Sequence, residues 1–172
     1  MGVSASGKST VTERLAAGLG IPWRDGDDLH SSANRFKMAS GTPLDDDDRA
    51  PWLDVIGSHL DRGAAEGGIV IACSALKRRY RDRLRAACPA TLFVHLDGAR
   101  EVIVGRATSR DGHFMPASLL DSQLVDLEPL AGDELGLTVN IVEPVEVLVQ
   151  SAIAFIRRSA PDPRPAATPR LA

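Results

Sequence analysis

The chain has 172 residues, of which 44% are hydrophobic and 25% are charged, and its formal net charge is −3. This length and composition are typical of one globular domain with a full-sized core. The slight acidic excess argues against general nucleic-acid binding, and no apolar run approaches the roughly 20 residues that span a bilayer. Two cysteines, Cys73 and Cys88, are too few for a disulfide framework, so we expect a cytoplasmic protein without a membrane partner.

The chain begins with the motif Gly2-Val3-Ser4-Ala5-Ser6-Gly7-Lys8-Ser9-Thr10, which fits the phosphate-binding pattern G-x-x-x-x-G-K-S/T. The glycines allow backbone amides to turn toward one anion, and the helix that follows adds the positive end of its dipole. In such a loop the lysine reaches the β- and γ-phosphates, and the next hydroxyl binds Mg²⁺. The predicted nucleotide site consists of Gly2, Ser4, Ser6, Gly7, Lys8, Ser9 and Thr10, with Lys8 catalytic and Ser9 a metal ligand.

A phosphate loop of this type is normally preceded by a buried β-strand, whereas only Met1 stands before Gly2 here. We expect a chain without that strand to fold poorly or to be weakly active, because its neighbours would keep unpaired backbone edges. We therefore also expect a start codon upstream of Met1, and a normal protein from a chain extended by about ten residues. The alternative is a nucleotide-binding remnant with little or no activity.

Helices and strands are predicted to alternate along the rest of the chain. The predicted helices cover residues 9–18, 29–40, 47–66, 77–87, 99–109, 118–127 and 145–158. The predicted strands cover residues 21–24, 69–73, 91–96 and 137–142. The run 69–73 is almost wholly apolar, as in a strand that is covered on both faces. Alternating strands and helices behind a phosphate loop predict an α/β fold in three layers, a parallel sheet covered by helices on both sides. We expect one P-loop domain over residues 1–158, with a lid at about 106–134, and a disordered tail over 159–172.

Asp25 and Asp27 follow the first predicted strand, at the edge where parallel α/β sheets bind their ligands. Phosphoryl transfer needs one carboxylate near Mg²⁺ and another that accepts the proton of the attacking hydroxyl. An Asp-Gly-Asp turn can provide both. An ordinary Asx turn explains the same residues equally well.

Arginine outnumbers lysine seventeen to three, so Lys8, Lys37 and Lys77 are candidates for roles that need a compact ammonium group. Arg106 and Arg110 share one face at the end of a predicted helix. Arginines that enter a lid can clamp phosphates, although a solvated helix face explains this pair too.

A basic helix begins at Lys77, just after a buried strand, so Lys77 and Arg81 are expected to point toward the cleft. Arg49 stands behind four aspartates that suit a helix start, and it could reach an anionic substrate. His30 and His113 lie beside loops and have no zinc-like spacing, which favours hydrogen bonds to a polyol over metal binding. The other two histidines, His59 and His95, are interpreted as structural.

Taken together, these stretches resemble the gluconokinases, small P-loop kinases that phosphorylate D-gluconate. The stretches that carry the resemblance are GVSASGKST, DGDDLHSSANRFKMASGTPLDDDDRAPWL, ACSALKRRYRDRLR, FVHLDG, RATSRDGHFMP and LLDSQLVDLEP. They span residues 2 to about 134 in the expected order. Within them DGD-x-LH, KMASG-x-PL and CSALK-x-x-YRD-x-LR are specific to that family.

The resemblance implies ATP and Mg²⁺ as cofactors and transfer of the γ-phosphoryl group to the gluconate 6-hydroxyl. It implies that Asp27 accepts the hydroxyl proton, that Asp25 steadies the magnesium, and that Arg106 and Arg110 are lid arginines. The residues that it implies around the substrate are Asp27, His30, Lys37, Arg49, Lys77, Arg81, His113 and Gln123. A homodimer is compatible with the resemblance, although no stretch of sequence indicates one.

The sequence departs from the family at Ala5, where a third loop glycine is usual. If this position needs a positive φ, alanine costs on the order of 1 kcal/mol there. The nearest alternative function is a kinase for a nucleoside or another small hydroxy acid such as shikimate, which the gluconate-type segments oppose. A GTPase-like switch is excluded, because Phe36 and Leu76 precede the downstream lysines and the guanine signature N/T-K-x-D cannot form.

Overall fold

The structure is a computed structural model that describes residues 1–109 and 117–159. Along these ranges helices and strands alternate. The helices are α1 (Lys8–Leu19), α2 (Ser32–Ala39), α3 (Asp46–Ala65), α4 (Arg78–Ala87), α5 (Arg100–Thr108), α6 (Ala117–Asp126) and α7 (Val145–Ser159). The strands are β1 (Trp23–Asp25), β2 (Val70–Ala72), β3 (Phe93–Asp97) and β4 (Gly136–Asn140).

The predicted elements are confirmed apart from their exact ends, with one exception. The helix predicted over residues 29–40 is wrong in its first turn, because a short 3-10 helix, Gly26–Leu29, precedes α2. The helix α2 then begins at Ser32, where the Ser31 side chain accepts a hydrogen bond from the Asn34 amide at 3.1 Å. The predicted tail beyond Ser159, and the predicted site residues Arg110 and His113, lie outside the described residues.

The four described strands form two parallel pairs. In one pair β1 lies beside β2, with Trp23 opposite Val70, and in the other β3 lies beside β4, with Phe93 opposite Gly136. The prediction of an α/β fold with parallel strands is confirmed. A single continuous sheet is not present within the described ranges.

Met1 lies between the two pairs and hydrogen-bonds to one of them. Its carbonyl oxygen accepts from the Leu96 amide at 2.9 Å, and its amino group donates to the Val94 carbonyl. The next residue, Gly2, donates to the Ser74 carbonyl at 3.2 Å, just after β2. An apolar cavity of about 880 Å³ lies between β2 and β3, next to Met1. The facing edges of these two strands form part of its wall.

Two apolar cores lie on opposite faces of the strands. The helices α1, α5, α6 and α7 enclose one core, which includes Val11, Ile103 and Leu148. The helices α3 and α4 enclose the other, which includes Ile56 and Leu84. The helices therefore cover both faces, as the sequence predicts. None of the described helices is long and apolar enough to cross a membrane.

Candidate active site

The motif at the start of the chain forms a loop that ends at the first turn of α1. Gly7 caps this helix with a φ of 97°, and Gly2 has a φ of 142°, both in the region that favours glycine. A Cβ on Gly2 would also lie 2.9 Å from the Leu96 carbonyl oxygen, so β3 leaves no space for a side chain there. Ala5 has a φ of 61°, so the alanine at this position does bear the left-handed strain considered above.

Lys8 and Ser9, the first residues of α1, make polar contacts at this loop. The Lys8 Nζ donates to the Val3 carbonyl at 3.0 Å, and the Ser9 hydroxyl donates to Asp25 Oδ2 at 2.7 Å. A hydroxyl and a carboxylate are hard oxygen ligands of the kind that Mg²⁺ prefers, so this pair fits the predicted metal site. The described residues contain no cluster of three or more His, Cys, Asp or Glu side chains that could hold a metal.

The Asp-Gly-Asp turn is both an Asx turn and a part of the site. Asp25 Oδ1 accepts a hydrogen bond from the Asp27 amide at 3.1 Å, while its other oxygen contacts Ser9. Gly26 is required, because a Cβ there would lie 2.4 Å from the Ala72 carbonyl oxygen. The Trp52 indole fixes the turn from the other side by donating to the Gly26 carbonyl at 2.7 Å.

Asp27 lies at the mouth of the site, where it keeps contact with water. Desolvation by the surrounding protein raises the pKa of its carboxyl group, and Asp25 and Asp28 raise it further, whereas Lys8 lowers it. A carboxylate with a raised pKa is a stronger base than an ordinary aspartate, which suits a group that must accept a proton.

These groups surround one cavity of about 290 Å³. The predicted site residues that line it are Ser4, Gly7, Lys8, Ser9, Thr10, Asp27, His30, Arg49 and Gln123. The lining also includes residues that the sequence did not identify as site residues, among them Met38, Leu44, Trp52, Ser74, Leu119 and Ser122. Ser74 could have been predicted from the sequence, since it follows the C-terminal end of a parallel strand, where ligands bind in α/β sheets. Trp52 could not, because its helical spacing indicates only the core.

His30 and Arg49 are the buried polar groups of this lining. The His30 ring stacks on Trp52 with centroids 4.2 Å apart, and the Asn34 amide nitrogen lies 3.4 Å from its Nδ1. Burial lowers the pKa of His30 to about 4, with Arg49 contributing, so the ring is neutral near pH 7. Arg49 is 8% exposed and donates to the Tyr80 hydroxyl at 3.1 Å.

The predicted substrate lysines are held by aspartates outside the cavity lining. Lys37 forms ion pairs with Asp45, at 3.3 Å, and with Asp48. Lys77 lies 3.3 Å from Asp46 and 3.0 Å from Asp126. Neither lysine belongs to the lining of this cavity.

Arg81 has a different role from the predicted one. Its side chain is 0% exposed and binds both carboxylate oxygens of Glu134, at 2.6 and 2.8 Å. The remaining bonds go to the carbonyl oxygens of Ala75, Leu76, Glu128 and Pro129. All three guanidinium nitrogens are thus used within the protein, which corrects the expectation of a substrate contact. Arg81 ties α4 to the segment after α6.

Two more predicted residues contact the phosphate loop or its surroundings. The Gln123 side-chain oxygen, on α6, accepts from the Ser4 amide at 2.7 Å. Arg106 donates to the Ile141 carbonyl at 2.6 Å, and its guanidinium lies 3.8 Å from the position that a Cβ on Gly7 would occupy. Arg106 is therefore next to the loop, as a nucleotide-binding lid arginine would be.

Known proteins are similar to this chain in sequence and in fold. The shikimate kinase family model matches residues 4–125. A gluconokinase from Gluconobacter oxydans (strain 621H) is 45% identical over 154 residues, which cover 89% of this chain and 86% of the relative. The solved structure of a gluconokinase from Sinorhizobium meliloti 1021 is 46% identical with a TM-score of 0.83 and covers 92% of this chain and 89% of its own. An unliganded sugar kinase from Janibacter sp. is 44% identical with a TM-score of 0.86, over 94% and 96% of the two chains.

Proposed function

The chain belongs to the gluconokinases, and on that premise we propose that it transfers the γ-phosphoryl group of ATP to the 6-hydroxyl of D-gluconate. One observation carries the proposal: a single cavity is lined by the phosphate loop, by Asp27 and by the buried cation Arg49. Such a cavity can hold a nucleotide phosphate, a reacting hydroxyl and an acid group together. We further propose a cytoplasmic enzyme that acts on a small molecule, with no nucleic acid or membrane as partner.

The phosphate end of the site depends on α1 and the loop before it. The loop amides, the positive end of the helix dipole and Lys8 bind the β- and γ-phosphates and stabilise the charge that develops on the transferred group. Ser9 and Asp25 would hold Mg²⁺, which would supply positive charge to offset the negative charge of the phosphates during transfer. Arg106 would add a cation from beside Gly7, and the role of Arg110 remains a proposal.

Asp27 and the buried residues act on the acceptor. Asp27 accepts the proton of the attacking hydroxyl, and the charge of Lys8 partly offsets the rise that desolvation causes in the pKa of Asp27. Arg49 pairs with the substrate carboxylate, and the neutral His30 ring hydrogen-bonds to a hydroxyl. Gln123, Lys37 and Lys77 stay proposed substrate residues, and so does His113.

An assay of ADP release with gluconate, with shikimate and with no acceptor tests the proposal. We expect gluconate to be required, and Asp27→Asn to lower kcat by about a hundredfold or more, since it removes the base without changing the shape of the side chain. Asp28→Asn, in the same turn, is the matched control and should keep nearly normal turnover. Turnover that requires shikimate instead of gluconate, or that persists in Asp27→Asn, would overturn the proposal.

A further inference from the structure

A carboxylate of the protein forms ion pairs with Arg49 and Lys77, two of the proposed substrate-binding residues. It belongs to Asp126, the last residue of α6. Its Oδ2 accepts from Arg49 Nη1 at 3.0 Å, and its Oδ1 lies 3.0 Å from Lys77 Nζ. The side chains of Arg49, Lys77 and Asp126 are 10%, 19% and 25% exposed, so these contacts are shielded from water.

The charges around this carboxylate do not balance. Arg49, Lys77 and Arg79 each lie 5.7 Å from the centre of the Tyr80 ring. Among the residues that the structure describes, two carboxylates pair with these three cations: Asp126 pairs with Arg49 and Lys77, and Asp46 pairs with Lys77 and Arg79. Three positive and two negative charges leave an excess of one positive charge. This positive excess favours a carboxylate as the partner of Arg49, whether the carboxylate comes from the protein or from a ligand.

The same helix places a second acceptor oxygen where a ligand anion is expected. Gln123, three residues before Asp126, accepts the hydrogen bond of the Ser4 amide in the phosphate loop. α6 therefore contacts the phosphate loop through one side chain and Arg49 through another. In both contacts an oxygen of α6 accepts a hydrogen bond, as a phosphate or carboxylate oxygen of a bound ligand would.

We propose that Asp126 is an internal counter-ion that stands in for the carboxylate of the substrate. This inference rests on the proposed function. When the sugar acid binds, its carboxylate takes over Arg49, and Asp126 turns away with the end of α6. Asp126 is thus a positioning and specificity residue, because it keeps Arg49 occupied until an acid in the right place displaces it.

The energetics of the exchange favour this role. Arg49 is buried, and a buried cation without a partner is strongly destabilising, so the ligand-free protein needs a carboxylate at this position. Asp126 is a quarter exposed and can return to water at modest cost. The substrate must displace it, so the internal ion pair weakens substrate binding by competition. Removing the charge of Asp126 should therefore lower the stability of the ligand-free protein and raise its affinity for the substrate.

The test is Asp126→Asn, which removes the charge and keeps the shape. We expect KM for gluconate to fall about five- to tenfold while kcat stays within about twofold. We also expect the Tm of the ligand-free protein to fall and the rise in Tm on adding gluconate to grow. Asp126→Glu should restore a KM close to that of the wild type. Asp126→Ser removes the same charge and replaces the Asn variant should that variant fail to fold.

The matched control is Asp54→Asn. Asp54 on α3 binds Arg83 on α4 at 2.6 and 2.7 Å, but on the exposed surface. Its loss should leave the KM for gluconate unchanged. An unchanged or raised KM in Asp126→Asn, with an active wild type, would overturn the inference and leave the proposed function intact. A wild type without gluconate-dependent ADP release would overturn both.

Discussion

Arg81 stabilises the fold through its buried contacts, so its substitution should lower the free energy of unfolding strongly. Arg81→Lys is expected to lower the free energy of unfolding by about 3 kcal/mol or more, because an ammonium group cannot bind both Glu134 oxygens and the surrounding carbonyls at once. Urea denaturation measures the change. Where the variant is folded, at low temperature, its KM for gluconate should equal that of the wild type.

Arg83→Lys is the matched control for this prediction. Arg83 lies two residues further along α4 and also binds a carboxylate through two nitrogens, but its side chain is 46% exposed. Its loss of stability should stay below about 1 kcal/mol. A raised KM in Arg81→Lys together with normal stability would instead return Arg81 to the substrate site.

His30 links stability to pH. Burial lowers its pKa from 6.5 to about 4, with smaller contributions from Arg49 and Arg35. The unfolded chain therefore binds a proton at a pH where the folded protein does not, and the free energy of unfolding falls as pH drops from about 6.5 toward 4. Burial also lowers the pKa of His95, which adds to the loss in the same direction.

His30→Phe isolates this contribution, because it keeps a ring on Trp52 and removes the titrating group. Between pH 7 and pH 5 the wild type should lose about 2 kcal/mol more than the variant. Urea denaturation of both proteins at the two pH values gives the difference. Parallel losses would show that the proton uptake of His30 does not contribute.

The residues that the sequence predicts well are those whose signal is local. The phosphate loop and the Asp25 turn are each contained in a few adjacent residues, and the structure brings them together. Arg81 was misassigned because its partner, Glu134, lies 53 positions away, and nothing near Arg81 indicates that contact. Asp126 was missed for the same reason, since its role depends on Arg49 in α3 and on Lys77, the residue just before α4.

At the level of single elements, the start of α3 allows the contribution of a helix cap to stability to be measured. Asp45 and Asp48 form a capping box, in which each side chain accepts the amide hydrogen of the other residue at 2.9 Å. Asp45→Ala should lower the free energy of unfolding by about 1 kcal/mol, because it leaves a helix amide unpaired. Asp47→Ala, in the same turn but outside the box, should cost about half of that or less. Equal losses in urea denaturation would mean that charge at the helix start matters and the box does not.

The error over residues 29–40 has an equally local origin. Hydrophobic spacing and helix formers predict one helix there, but Asp25 and Ser31 each cap a separate start. Side-chain caps compete with helix propagation, so α2 begins only at Ser32, after the separate 3-10 helix Gly26–Leu29 has ended. The consequence matters for the site, because the first of these short helices holds Asp27.

At the level of the whole molecule, the strands were predictable and their assembly was not. The strands β2 and β3 lie in mostly apolar runs that are recognisable locally, whereas the pairing of strands depends on contacts between distant segments. The apolar cavity between β2 and β3 is lined by both strand edges and by α1, as Ile71, Phe93 and Leu15 show. Burial in this region lowers the pKa of the Met1 amino group to about 5, so the charged amine is disfavoured where it lies.

An extended apolar segment fused ahead of Met1 is expected to enter this cavity. Met1 already bonds in parallel register to Val94 and Leu96, and Gly2 reaches Ser74, so preceding residues would run between β2 and β3 and pair with both. The added residues would bury apolar side chains on both faces of the sheet, and the buried amino group of Met1 would become a peptide group.

Two fusions of about six residues, one of Val and Ile and one of Gly and Ser, test this expectation. The apolar segment should raise the Tm on the order of 10 °C, which corresponds to several kcal/mol in a domain of this size, and it should increase gluconate-dependent turnover. The Gly and Ser segment supplies the same backbone without side chains to fill the cavity, so it should give little of either effect. If both fusions match the unextended chain in Tm and in turnover, then the cavity is not a strand-binding groove, and the two strand pairs are sufficient by themselves.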